Sequence, residues 1–367
     1  MFHPKRLKLI RLDRAKTQAE YADELGVSRQ FMHQIEVGER GPNSDTVEAL
    51  CSLTGVTPRF FERPVNHWIS PDQCNFRKQK TTSKTFSNQI IARSTLVTEV
   101  IDWISQHVSL PPISIPHVDL SATTGPEDAA TRARNEWDLG DDAPIDSVTR
   151  IIENAGAVCV NAVGISQKIS ALSVDERIPI VLHNHEHAQP TRLRFDMCHE
   201  FGHFVMHRGI ITGDDETESQ ANRFAAEFLI PKTAFYREFP SALSGRRFNW
   251  SAMASMKRRW GISFRALVRR AKMLGIIDAA QYKSGNVYLN KRGYAKEEPF
   301  EPIAPERPES MSLAASVLKD HVSIYREDIA DILGLTSPLL EELLGITLPE
   351  KPGNRDNVVN LRVVETI

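Results

Sequence analysis

The sequence of 367 residues holds only four cysteines, Cys51, Cys74, Cys159 and Cys198, and no CxxC pair. Thiols this sparse and scattered build neither a disulfide scaffold nor a cysteine zinc knuckle, and they fit a reducing compartment. No apolar run approaches the roughly 18 residues a spanning helix needs, which excludes an integral membrane protein. The opening stretch, MFHPKRLKLIRLDRAKTQ, interleaves charge with apolar side chains and lacks an apolar block followed by a small-residue cleavage site. The reading is a cytoplasmic protein without a secretory leader and without a membrane partner. An excess of one charge sign is missing as well, because 45 Lys and Arg stand against 47 Asp and Glu for a net charge of −2. Any contact with nucleic acid must therefore come from a local patch. Internal repeats are also lacking, and the length exceeds the roughly 100 to 200 residues of one domain, so two or three domains are expected.

What is present at the N-terminus is a chain of short helices with clear punctuation. Thr17 followed three residues later by Glu20 forms a capping box that opens a helix carrying Tyr21, Ala22 and Leu25 and stopping at Gly26. Ser28 caps the next, Arg29 to Val37, which Gly38 ends. A cap at Ser44 precedes Val47, Leu50 and Leu53, Gly55 closes that helix, and Pro58 begins a last turn with Phe60 and Phe61. Two helices joined by a tight glycine turn let one brace while the other lies in the major groove of DNA. Ser28, Arg29, Gln30, His33 and Gln34 cluster in the first turns of the second helix, where Arg and Gln can pair bidentately with guanine and adenine edges. Gln18 and Arg40 are candidates for phosphate contacts.

Over residues 5 to 64, TQAEYADELGVSRQFMHQIEVGERGP and the helix ending in LTGVTPRFF resemble the Cro/cI (Xre) helix-turn-helix family. The resemblance implies DNA contacts from Gln18, Ser28, Arg29, Gln30 and Gln34. Phe31 stands where a small residue is common, and Glu36 and Glu39 lower the local charge. A dimer is implied by half-site symmetry on DNA.

Further along, residues 65 to 84 read as irregular, and Ile90 to Ile104 as a connecting helix that ends before Pro111-Pro112. An amphipathic segment around Ala129 to Trp137 precedes three β-like runs, Ala157 to Val163, Lys168 to Val174 and Ile178 to Leu182, expected to form a small antiparallel sheet. Helical patterns follow over Thr191 to His207, Glu216 to Leu229, Trp250 to Trp260 and Ser263 to Leu274. The Glu- and Pro-rich stretch Lys296 to Pro308 reads as a linker or extended arm before a helical tail.

The strongest chemical signal is Phe195-Asp-Met-Cys-His199-Glu200-Phe-Gly-His203-Phe-Val-Met-His207, an HExxH within a helical apolar pattern. Residues four apart share a helix face, so His199 and His203 can point their imidazoles at one Zn²⁺ while Glu200 flanks it. Glu200 is then the general base toward a water that the metal acidifies. The metzincin pattern needs Gly at 206 and His at 209, where this chain has Met206 and Gly209, so that class is excluded. His207 is placed in a supporting role behind the ligands, or as a helix cap. A carboxylate from the following helix is the natural third ligand, and Glu216, Glu218 and Glu227 are all on it.

RFDMCHEFGHFVMH followed by ETESQANRFAAEFLIP is similar to the ImmA/IrrE family of metallopeptidases, with the likeness extending from about Asn75 to Gly293 through GAVCV, ISALSV, IPIVLHN and GISFRALVRRAKMLGII. In that family a Glu just ahead of an ANxFA motif completes a His, His, Glu zinc site, which selects Glu218, ahead of Ala221, Asn222 and Phe224. Gln220 stands where many relatives have a second acid, which leaves Glu216 as an alternative ligand. The family's association with cleaving a helix-turn-helix repressor, and so lifting repression of prophage, mobile-element, defence or DNA-damage genes, implies a repressor as substrate.

Several features remain. His183, His185 and His187 alternate after a β-like run and read as a solvated loop. Cys198 beside His199, or Cys74 in the linker, is a candidate thiolate for the open zinc position. Between Glu238 and Asp278 no acid occurs while nine basic residues do, so 246–272 is a candidate second surface for nucleic acid or an acidic partner. Strand Ile178 to Leu182 is a candidate edge for holding an extended substrate.

The expectation is an α+β, mostly helical chain with a helix-turn-helix domain over 1–64, a linker and connecting helix over 65–115, and a zincin-like domain over 116–235. A basic helical region over 236–295 and an arm with helical tail over 296–367 complete it. Its expected function is a DNA-binding regulator with zinc-dependent endopeptidase activity. The competing readings are a non-catalytic repressor or antitoxin-like protein whose zinc domain is structural or ligand-sensing, and a protein that cleaves itself between residues 65 and 84.

Overall fold

The computed structural model describes residues 1–75, 83–162, 170–184, 189–294, 297–300 and 304–352. The N-terminal unit consists of α1 (Pro4–Asp13), α2 (Gln18–Glu24), α3 (Arg29–Val37), α4 (Ser44–Thr54) and α5 (Pro58–Glu62). Its boundaries follow from local chemistry. Thr17 and Glu20 form the expected reciprocal box, Ser28 accepts from the Phe31 amide, and Gly38 and Gly55 adopt left-handed backbone that ends α3 and α4. The cap of α4 is Asn43 rather than Ser44, because the Asn43 side chain takes the Thr46 amide at 2.9 Å and Ser44 is already helical.

The chain continues through β1 (Cys74–Asn75) into the long α6 (Lys84–Ser105), then α7 (Pro126–Glu136) and α8 (Val148–Asn154). Strands β2 (Val158–Asn161), β3 (Ala171–Val174) and β4 (Ile180–His183) precede α9 (Pro190–Met206) and α10 (Asp215–Leu229). Next come α11 (Lys232–Glu238), the two-residue strands β5 (Leu243–Ser244) and β6 (Arg247–Phe248), α12 (Trp250–Trp260), α13 (Phe264–Met273) and α14 (Ala279–Lys291). The tail holds α15 (Ser310–Val317), α16 (Arg326–Leu333) and α17 (Ser337–Leu344). None of the helices among the described residues is long and apolar enough to cross a membrane.

The main sheet is mixed, in the order β1-β3-β4-β2, and not purely antiparallel as expected. β3 and β4 form an antiparallel pair, but β2 lies parallel to β4, with Val158 beside Ile180 and Val160 beside Leu182. β4 is therefore interior, which rules out Ile178 to Leu182 as an edge.

This sheet is the partition of the molecule. Its alternation sends Val158, Val160, Leu172, Val174, Ile180 and Leu182 into one core, shared with α1–α6 and α15–α17. Cys159 and Val181 point the other way, into a second core formed by α7–α14. The helix-turn-helix unit thus shares its packing with the connecting helix and the C-terminal tail. Val56 and Leu335 form an antiparallel bridge, Thr57 donates its amide to Gly334 at 2.8 Å, and Thr336 returns the bond to Gly55 at 3.0 Å. Gly334, with φ of 73°, cannot take a side chain, since a Cβ there would lie 2.3 Å from the Phe60 amide nitrogen.

In the second core, α9 and α10 pack directly on each other because Gly202 leaves room for Phe224; a Cβ at 202 would meet that ring at 2.8 Å. The expected arm is pinned along this half by its acids. Buried Glu298 takes Lys257 Nζ and the Phe264 amide, each at 2.8 Å, and Glu306 pairs with Arg194 and accepts the Thr149 amide at 2.7 Å.

Candidate metal centre and nucleic-acid interface

α9 starts on Pro190 and carries the HExxH, with His199 and His203 one turn apart on a single face. α10 starts under an Asp214 cap, which accepts the Glu216 and Thr217 amides and sets Glu218 in the first turn. The close approach at Gly202 brings that turn against the histidines. His199 Nε2 and His203 Nε2 are 3.2 Å apart, and Glu218 carboxylate oxygens lie 3.6 Å from the first and 3.8 Å from the second. Tetrahedral zinc at its usual distances of about 2.0 to 2.2 Å separates ligand atoms by roughly 3.3 Å, so this donor set fits one ion with little adjustment.

The other two glutamates of α10 are engaged elsewhere. Glu216 accepts from the Gln220 amide at 2.8 Å, and Glu227 is buried against Arg270 and the Lys232 amide.

Protonation follows from a continuous chain behind the ligands. The Gln220 Nε2 donates to Glu216, which turns its oxygen toward His207 Nε2 at 2.8 Å. His207 must then carry its proton on Nε2 and accept at Nδ1, where His203 Nδ1 lies 2.9 Å away. His203 in turn donates from Nδ1 and keeps its Nε2 lone pair for a metal. Burial, with His199 and His207 nearby, holds the His203 imidazole well below its ordinary pKa, in the neutral form that ligation requires.

Glu200 is buried on the same helix and receives the Ser173 hydroxyl at 2.6 Å. Ser173 reaches it because the sheet alternation places residue 173 on the α9 side, opposite Val181, while its neighbours Leu172 and Val174 face the other core. Burial pushes the Glu200 carboxyl well above the usual carboxylate range, the Ser173 bond opposes this, and Glu218 and Asp196 reinforce it. The sequence pattern ALSV held the signal for Ser173, a polar residue between two apolar ones at the strand period.

Two expectations fail on burial. Cys198 sits in the core on a part of α9 that packs inward, with burial raising its thiol pKa far above the ordinary value, and Cys74 lies in the other core. Neither contributes to the metal cluster. His183 is the last residue of β4 and fully buried, not part of a solvated loop; His185 and His187 lie outside the described residues.

In the N-terminal unit, Met32, Ile35 and Glu36 point inward from α3 while Ser28, Arg29, Gln30 and His33 are exposed together and Gln34 is half-buried. Gln18 donates to Glu36 at 2.6 Å, and Glu36 is paired with buried Arg11, so the acid that lowered the formal charge of α3 is neutralised inside. Arg40 lies 4.8 Å over the Phe31 ring at the exposed end of the helix. An open cleft of about 990 Å³ adjoins Gln18 and Arg29 and adds Lys8, Lys16 and Lys84 to its walls.

The second basic stretch is spent differently from expectation. The unit α12–Gly261–α13 forms, but four of its nine cations enter ion pairs: Arg246 with Asp278, Lys257 with Glu298, Arg259 with Glu238 and Arg270 with Glu227. Lys257 and Arg270 are buried, which removes them from any surface.

Residues 164–272 match the family model described as the IrrE N-terminal-like domain, of the M78 peptidases, and residues 5–60 match one described as a helix-turn-helix domain. The two matches bear out the resemblance to an ImmA/IrrE protein with an N-terminal helix-turn-helix. No curated protein matches the chain.

Proposed function

We propose that this pairing of a helix-turn-helix domain with an M78 peptidase-like domain is a DNA-binding regulator and zinc-dependent endopeptidase whose substrate is a helix-turn-helix repressor. The observation that carries the reading is the three-donor cluster of His199, His203 and Glu218 beside a buried, hydroxyl-oriented Glu200. Three protein donors are the count of a catalytic rather than a structural zinc site. When bound, zinc supplies Lewis acidity, lowering the pKa of a water and polarising the peptide carbonyl.

The chain's own groups do the remaining work. Glu200 takes the proton of the attacking water and passes it to the departing amine, a role served by its raised proton affinity. Ser173 holds that carboxylate in one orientation. His207 and Gln220 hold His203 in the ligating tautomer. On the DNA side, Arg29, Gln30, His33 and Gln34 read base edges from the outer face of α3, while Gln18, Ser28 and Arg40 grip phosphates.

The test is coexpression with a helix-turn-helix repressor encoded beside the protein. Cleavage by the wild type and none by Glu200→Gln supports the reading; retained cleavage by that variant rejects Glu200 as base. For the DNA half, Gln30→Ala should weaken binding to a selected duplex by about 1–3 kcal/mol while leaving random-sequence binding unchanged in an anisotropy titration.

A further inference from the structure

A peptide bound extended in an active site adds to a free strand edge, and the edge nearest Glu200 is β3, whose Ser173 is bonded to that carboxylate. In this chain the edge is already taken. Cys74 pairs with Val174 and Asn75 with Ser173 in antiparallel register, and Asp175 donates its amide to the Gln73 carbonyl at 2.8 Å. On its far side the same segment is clasped by the loop that follows α9, where Thr212 Oγ1 donates to Asn75 Oδ1 at 2.6 Å. The Gln73 amide donates to Glu176, and its oxygen accepts the Ser70 amide at 2.8 Å. Cys74 and Asn75 are both buried. Beside the segment lies a cleft of about 220 Å³ lined by Asp72, Asn75, Asp175 and His207, with exposed Ile210 and Ile211 at its rim.

The ladder is short, two residues against the four shared by β3 and β4, and it is written in Gln-Cys-Asn, a sequence with little strand preference. Its hold comes from being tethered, since a segment in the same chain acts at millimolar effective concentration and excludes a free peptide at micromolar levels. We propose that the β3 edge is the peptide-binding edge and that Gln73–Asn75 occupies it as an intramolecular stand-in, which must leave before an extended peptide is admitted. The purpose of the exchange rests on the endopeptidase reading above; the exchange itself does not.

The probe is a fluorescein-labelled synthetic peptide of residues 69–75 carrying Cys74→Ser, followed by anisotropy with the full-length protein in EDTA. Asn75→Pro, which removes a ladder amide and the Thr212 acceptor, should bind it at least tenfold more tightly than the wild type. A second variant provides a reversible lock. Position 174 faces Cys74 in a non-hydrogen-bonded pair, with Cα atoms roughly 4.5 Å apart and within disulfide reach. Oxidised Val174→Cys should therefore lose peptide binding and regain it on reduction, an outcome that also serves if Asn75→Pro fails to fold. Equal affinity of the locked and reduced forms, or no binding to a folded Asn75→Pro, overturns the proposal. Because zinc is withheld, these results stand apart from the metal-content and cleavage tests that decide the peptidase reading.

Discussion

Ser173 donates its hydroxyl to the Glu200 carboxylate across 2.6 Å, joining the sheet to the zinc helix at the one acid of the HExxH. A bond to the charged form favours that form, so it works against the burial that raises the Glu200 pKa. Ser173→Ala should therefore shift the acidic limb of the kcat/KM profile upward by about one to two pH units, from the roughly 1.5–3 kcal/mol of a hydrogen bond to a charged group. Zinc content should stay at the wild-type level. An unshifted limb would show that Ser173 only fills space.

His207 and Gln220 touch no reacting atom, yet they fix the proton on His203 Nδ1. Either His207→Ala or Gln220→Leu should weaken zinc binding about 10–100-fold in a chelator competition, with the fold intact by circular dichroism. Unchanged affinity in both would show that His207 and Gln220 do not set the His203 tautomer.

How much of this was legible beforehand depended on whether the signal was local. The limits of α2 and α3 were readable because Thr17, Glu20, Ser28 and Gly38 each act within one turn. His199, Glu200 and His203 were readable for the same reason, their spacing being the helix period. Glu218 sits on a different helix, so no spacing rule selects it over Glu216 or Glu227; resemblance points to it in the sequence, and the packing at Gly202 brings it against the histidines. The parallel pairing of β2 with β4 was missed because it joins strands that are not neighbours in sequence, and the wrong edge strand followed. The basic stretch misled because its partners, Glu227, Glu238 and Glu298, lie at or beyond its ends.

The junction between the N-terminal unit, α6 and the tail carries a cluster of charges around Glu342. Glu342 of α17 accepts from Arg93 at 2.8 Å and from Arg14 at 3.1 Å, and Arg93 also binds Asp13 at 2.6 Å. Burial raises the Glu342 pKa, but Arg93 and Arg14 prevail and bring it below the ordinary value. A depressed carboxyl pKa gives stability that is present above the unfolded value of about 4.3 and is lost as pH falls through the folded one. Glu342→Gln should thus cost about 1–2 kcal/mol at pH 7, less than a fully buried pair because the side chain is 27% exposed. The gap in Tm between variant and wild type should close below about pH 4. A gap independent of pH would assign the loss to packing.

Elemental analysis of purified protein decides whether His199, His203 and Glu218 hold one zinc. Wild type and Glu216→Ala should each carry about one zinc per chain, and His203→Ala and Glu218→Ala should retain none. A wild type that takes up no zinc when supplied with it, or a Glu218→Ala that keeps its full complement, would rule out this ligand set.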